Sequence, residues 1–102
     1  MIYISMHNCA PCREFTPLLA ELYHEMNQLN VLFEVVFISG DKTLEEFEEY
    51  FAEMPWPAMP FRDKRIKNVA KTFNVKGVPR LVVLNMKTGE VIKDQAVDII
   101  TE

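Results

Sequence analysis

No apolar run in this sequence approaches the ~20 residues needed to cross a bilayer, so no membrane span is expected. Cysteine occurs only twice and glycine three times in 102 residues, 49 % of which are hydrophobic. That composition implies one compact domain, residues 1–102, able to bury a core without a disulfide or a metal. Positive charge is also short. Eleven Lys and Arg against fifteen Asp and Glu give a net charge of −4 and no basic stripe, which excludes nucleic acid as a main partner. The start, "MIYISMHNC", lacks a cationic stretch followed by a long apolar one, so no secretory signal is expected. Two cysteines without such a signal point to a reducing, cytoplasmic address. Internal repeats, linkers and low-complexity tracts are likewise missing.

What is present alternates between strand and helix patterns. "IYIS" (2–5) is short, β-branched and aromatic, as in a buried strand. Phe15, Leu18, Leu19, Leu22, Met26 and Leu29 recur at three and four, predicting a helix over 10–29. "VLFEVVFIS" (31–39) predicts a strand covered on both faces. Thr43 with Glu46 makes a capping-box pattern ahead of the stripe Leu44, Phe47, Phe51 and Met54, and Glu45, Glu46, Glu48 and Glu49 form its solvated face. "MPWPAMPF" (54–61), with three prolines, can be neither helix nor inner strand. A short helix over 64–73 turns Ile66, Val69, Ala70 and Phe73 inward. "RLVVLN" (80–85) and "EVIKD" (90–94) flank a turn at Gly89, and "VDIITE" adds a last helical turn. The order β-α-β-α-(α)-β-β implies an α/β layer sandwich with a mixed sheet.

The two cysteines are three positions apart in "HNCAPC". Cys9 falls where the first strand ends and a helix begins, a place whose free N–H groups and dipole stabilise a thiolate. Pro11 fits the first helical turn, and Cys12 lies one turn further in, close enough to form a disulfide with Cys9. Cys9 is thus placed to attack a substrate disulfide and Cys12 to resolve the mixed disulfide. Pro17 falls in the helix interior, where it is expected to bend the helix. Far along the chain, Val78-Pro79 opens a strand after Gly77. A cis-proline there leaves the backbone of the preceding residue free to pair with an extended substrate. Arg80 is a candidate for steering acidic substrates, His7 a rim residue, Met6 a neighbour of the thiol loop, and Trp56 a core plug under the proline-rich loop. Zinc requires about four ligands and only His7 lies near the pair, His24 being placed on the solvated side of the helix. Two alternatives to redox chemistry stay open: a metal site, including one shared between two chains, and an inert pair in a redox-inactive binding module.

A C-x-x-C pair opening a helix after a strand, a proline five residues beyond it and a later G-V-P before a strand resemble the thioredoxin superfamily. "FEVVFISGDKTLEEFEEYFAEMPWPAMPF" and "FNVKGVPRLVVLNMKTGEVI" are similar to its tryparedoxin and nucleoredoxin branch. The resemblance implies a thioredoxin-like three-layer α/β/α sandwich with a mixed central sheet, lacking the usual first strand. It also implies a thiol–disulfide oxidoreductase reducing protein disulfides, with a low-molecular-weight thiol or a reductase as electron donor. Cys9 is its nucleophile, Cys12 its resolving thiol and Pro79 its cis-proline. Asn8, Ala10, Pro11, Val78 and Arg80 would line the substrate site, with Tyr3, Pro17 and Trp56 as nearby structural residues. No prosthetic group and no metal are called for, because the dithiol carries both electrons. Tyr3 resembles the tyrosine this branch keeps where thioredoxins proper bury an aspartate, so the Cys12 proton must use water or another group. The chain departs from the branch at Asn8, where tryptophan is usual, at Ala10, where proline is usual, and at Gly40, where many tryparedoxins have tryptophan. These changes remove apolar docking surface. The missing first strand would leave 31–39 at a sheet edge, which is expected either to be covered by a second copy of the chain, as a homodimer, or to leave the protein marginally stable.

Overall fold

A computed structural model describes residues 1–29, 34–85, 87–93 and 95–97. Within them, β1 (Ile2–Ser5) leads into α1 (Ala10–Gln28), β2 (Val36–Ser39), α2 (Leu44–Phe51), α3 (Arg65–Thr72), β3 (Arg80–Leu84) and β4 (Val91–Lys93). The sheet order is β2-β1-β3-β4. β1 runs parallel to β2 with Tyr3 opposite Phe37, and antiparallel to β3 with Tyr3 opposite Leu81. β3 pairs antiparallel with β4, and Gly89 turns that hairpin at φ +76. The central position of β1 matters most for function, because the cysteine loop leaves from its end.

Alternation along these strands sorts the side chains. Tyr3, Phe37 and Leu81 share one cluster with Phe15 and Leu19 from α1, Tyr50 from α2, and Met54 and Trp56 from the loop after it. Aromatic rings fill most of this core. Phe37 stacks on Phe47 with ring centres 6.0 Å apart and meets Tyr50 edge-on at 5.5 Å, and Trp56 meets Tyr3 edge-on at 6.0 Å. Trp56 is therefore a core plug, as its sequence context suggested.

Several boundaries shift. The strand expected over 31–39 is formed only at Val36–Ser39, with 31–33 outside the described residues. Leu44, assigned to the apolar stripe, is 51 % exposed. It is the first residue of α2, beyond the reach of the core, and Tyr50 is buried on that helix instead. Leu29 is exposed because it caps the C-terminus of α1 past the last packed turn. Leu18 is exposed as well, for a reason given below. The last helical turn falls almost wholly outside the described residues, as do Met86 and Asp94.

β2 lies at the sheet edge, and the proline-rich segment covers its centre. The Phe37 N–H donates to the Pro57 carbonyl at 3.0 Å, and the Met59 N–H donates to the Phe37 carbonyl at 2.9 Å. Prolines suit this position because an edge partner needs only alternate N–H groups.

The start of α2 is capped as its sequence predicts: Thr43 Oγ1 accepts the Glu46 N–H at 3.2 Å. Replacing Thr43 with alanine should cost about 1 kcal/mol of stability, read as a lower urea midpoint at unchanged m-value.

Candidate functional site

The four residues after β1 are drawn against the end of β2 before α1 begins. Asp41, buried, accepts the His7 N–H at 2.6 Å and the Ser39 hydroxyl at 2.7 Å, and the Gly40 N–H donates to the Ser5 carbonyl at 2.9 Å. Asn8 donates through Nδ2 to Glu46 at 2.5 Å, tying the residue before the first cysteine to α2. Gly40 is required by this approach, since a Cβ there would stand 2.9 Å from Met6 Cγ. Thus Met6 does lie in the thiol loop, packed on the one residue too small to displace it.

Cys9 is the N-cap of α1, in an extended backbone conformation, and its side chain makes no capping hydrogen bond. The first-turn N–H groups of the helix are left facing the sulfur region, with Pro11 in that turn. Cys9 is half-buried and Cys12 fully buried, and both are free thiols. Burial pushes the Cys12 thiol up to about 11, and the adjacent Cys9 adds to the rise. The Ser5 hydroxyl and the Met6 N–H oppose it by hydrogen bonding to the Cys12 thiolate.

A row of buried hydroxyls lies behind Cys12. Ser5 and Tyr50 are 2.6 Å apart, Tyr50 and Thr16 2.5 Å, and Thr16 and Tyr3 2.6 Å. Thr16 also donates to the Cys12 carbonyl at 2.9 Å. Burial raises both Tyr3 and Tyr50, so the row stays neutral and protonated at ordinary pH. A pocket of about 220 Å³ reaches Thr16 and Tyr50 from the surface beside Arg13, Pro17 and Glu53. The sequence singled out only Tyr3 of this row. Ser5 shares its strand face, two residues on, and Thr16 lies one turn after Cys12, so both carried a local signal. Tyr50 arrives from another element and carried none.

The Val78-Pro79 bond is cis. Pro79 stands across a groove of about 510 Å³ from Pro11, Phe15 and Leu18 of α1, with Gln95 and Val97 completing that side and Glu14 at the rim. This is why Leu18 is exposed: it lines the groove beside the thiols. Of the other expected residues, Ala10 and Pro11 are exposed next to Cys9, and Pro17 lies on the outer face of α1. Arg80 donates through Nη2 to the Phe73 carbonyl at 3.1 Å, which engages it with the segment behind the Pro79 loop. Trp56 lies in the core, away from the groove, and its Nε1 has no hydrogen-bond partner. His24 is exposed. Among the described residues no three His, Cys, Asp or Glu side chains converge to hold a metal ion.

The unequal burial predicts unequal reactivity. Iodoacetamide should modify Cys9 alone at pH 7 to 8, and Cys12 labelling should rise only as pH nears about 11, where its thiol loses the proton. Peptide mass mapping of the reduced protein across pH reads both; equal labelling at neutral pH would contradict the assignment.

Comparison with known proteins gives consistent matches. A family model described as thioredoxin-like matches residues 1–91. A probable nucleoredoxin 1 of Arabidopsis thaliana is 45 % identical over 100 residues, covering 98 % of this chain and 17 % of that protein. Tryparedoxin of Trypanosoma brucei brucei is 43 % identical over 96 residues, covering 93 % of this chain and 66 % of that one. A solved structure of tryparedoxin from Trypanosoma brucei superposes with a TM-score of 0.89 at 40 % identity, covering 98 % of this chain and 69 % of its own. The chain therefore spans less than a fifth of the plant nucleoredoxin and about two-thirds of the tryparedoxin.

Proposed function

We propose a function in thiol–disulfide exchange from one premise: the chain belongs to the thioredoxin-like family, with tryparedoxins and nucleoredoxins among its relatives. The chain is a thioredoxin-like oxidoreductase that reduces protein disulfides, and the observation carrying this is the pairing of a half-buried with a fully buried thiol at the mouth of α1. Reaction begins at Cys9, the more exposed of the two thiols, which caps the open terminus of α1. Its sulfur attacks one sulfur of the substrate disulfide, forming a mixed disulfide and releasing the other substrate sulfur as a thiolate, which takes up a proton. Cys12 then gives up its proton and attacks Cys9 Sγ. The Cys9–Cys12 disulfide forms, the second substrate thiol leaves, and two electrons have passed from the dithiol to the substrate.

Two features of the site support this order. Cys12, pushed up to about 11, stays protonated and silent until Cys9 is engaged, so the first attack comes from one sulfur only. Among the described residues no carboxylate hydrogen-bonds Cys12, and its proton leaves through the Ser5 hydroxyl toward Tyr50, Thr16 and the pocket behind them. The extended substrate lies in the groove between Pro11 and Pro79, with its backbone against Val78, the residue before the cis bond. Asn8 and Ala10 border the thiol, and Arg80 supports the Pro79 loop from behind. A low-molecular-weight thiol or a reductase returns the dithiol, giving up two electrons, in a reducing, cytoplasmic compartment.

Dithiothreitol-driven insulin reduction tests the proposal. Cys9→Ser should abolish turnover. Cys12→Ser should also stop it, but leave a mixed disulfide between Cys9 and insulin that non-reducing electrophoresis resolves. Turnover by Cys9→Ser equal to that of the unaltered chain would refute it.

A further inference from the structure

We infer that Gln95 is a positioning residue for this groove, holding Pro79 and Val97 of its lining in place and so favouring polypeptide disulfides over small ones. The inference rests on the oxidoreductase function proposed above and adds the residue that shapes its substrate site. Among the described residues β4 pairs with β3 as far as Val83 and Lys93. Nearer the thiols no described strand lies beside β3 on that side, yet Leu81 is fully buried there. The Gln95 carboxamide takes the strand's place. Its Oε1 accepts the Leu81 N–H at 3.1 Å, and its Nε2 donates to the Pro79 carbonyl at 3.2 Å. The same Oε1 accepts the Val97 N–H at 3.3 Å, and the Ala96 N–H closes onto the Leu81 carbonyl at 2.9 Å.

One side chain therefore bonds to the backbone of Pro79 and of Val97, two residues that both line the groove. A carboxamide can do this because it offers an acceptor and a donor in one plane, as a peptide group does. Glutamine here is a side-chain replacement for a strand residue, and it needs no β-branched pattern to recognise the sheet. Without it, the Leu81 N–H and the Pro79 carbonyl lose the partner that Gln95 gives each of them, while the Ala96 bond to Leu81 remains. An extended polypeptide must lie against Pro79 and Val97 together. A small disulfide needs only the Cys9 sulfur, and the placing of Pro79 does not affect it.

Gln95→Leu in the full chain keeps most of the volume and removes all three bonds. Its kcat/KM for insulin should fall about tenfold, mainly through KM, while reduction of 5,5′-dithiobis(2-nitrobenzoate) and alkylation of Cys9 change less than twofold. Amide exchange at Leu81 should accelerate, with Val82 unaffected. Gln95→Glu keeps the acceptor for Leu81 and Val97 but not the donor to Pro79, so its insulin defect should be smaller and its Leu81 exchange close to normal; it carries the test if the leucine variant does not fold. Equal losses on both substrates would mean a purely structural role, and an unchanged insulin rate would remove the assignment; either outcome overturns it. An unaltered chain that reduces neither substrate would instead overturn the oxidoreductase function itself.

Discussion

One turn of helix separates a sulfur at the surface from a sulfur sealed beneath it, and most of the structure maintains that difference. α1 begins at Ala10 because β1 ends at Ser5 and the intervening loop is held by Asp41, Gly40 and Glu46. Had the helix begun a residue earlier, Cys9 would have entered its first turn and its sulfur would have left the capping position. The anchors come from β2 and α2, so the reactive pair depends on three elements that are distant in sequence. The aromatic core serves the same end, since the ring of Tyr3 that packs on Phe15, Phe37 and Trp56 also places its hydroxyl behind Cys12.

The hydroxyl row answers a physical problem that burial creates. A thiol buried with no charged partner resists ionisation, yet in the proposed exchange it becomes a nucleophile once per cycle. An acidic side chain beside it would accept the proton but would itself carry a desolvation cost. Hydroxyls avoid that cost because each is both donor and acceptor; with the Thr16 proton on the Cys12 carbonyl, Tyr3 and Tyr50 donate to Thr16 and Ser5 donates to Tyr50. Ser5, Tyr50, Thr16 and Tyr3 make such a row, and no formal charge is buried to build it.

Much of this was legible in the sequence, and the legible part follows a rule. The strand and helix of the cysteine segment, the capping box at Thr43, the turn at Gly89 and the proline at β3 are local signals, and all lie where they were expected. What escaped was cooperative. Tyr50 lay in a run of glutamates whose spacing favoured Leu44 and Phe51, and only the position of Phe37 decides which side of that helix is buried. Gln95 had no pattern at all, because its function depends on where β4 stops. Arg80 shows the same limit: its place beside Pro79 is local, but the Phe73 carbonyl that engages it is set by the tertiary fold.

The departures from the tryparedoxin and nucleoredoxin pattern become coherent when read as one change. Asn8 and Gly40 are the positions at which the resemblance led tryptophan to be expected, and each has a structural role of its own here. Asn8 forms a hydrogen bond to Glu46, and Gly40 admits the Met6 side chain. Both changes lie on the β2 and α2 side of the thiols. The opposite side keeps its apolar surface in Pro11, Phe15, Leu18 and Pro79, with the half-exposed Leu18 as its largest open contact. Binding energy for a substrate must come from the side that still offers apolar area, because polar groups already paired within the protein contribute little more. In the proposed exchange recognition is therefore asymmetric, resting on the apolar residues of α1 and on Pro79, whose carbonyl is held by a single carboxamide.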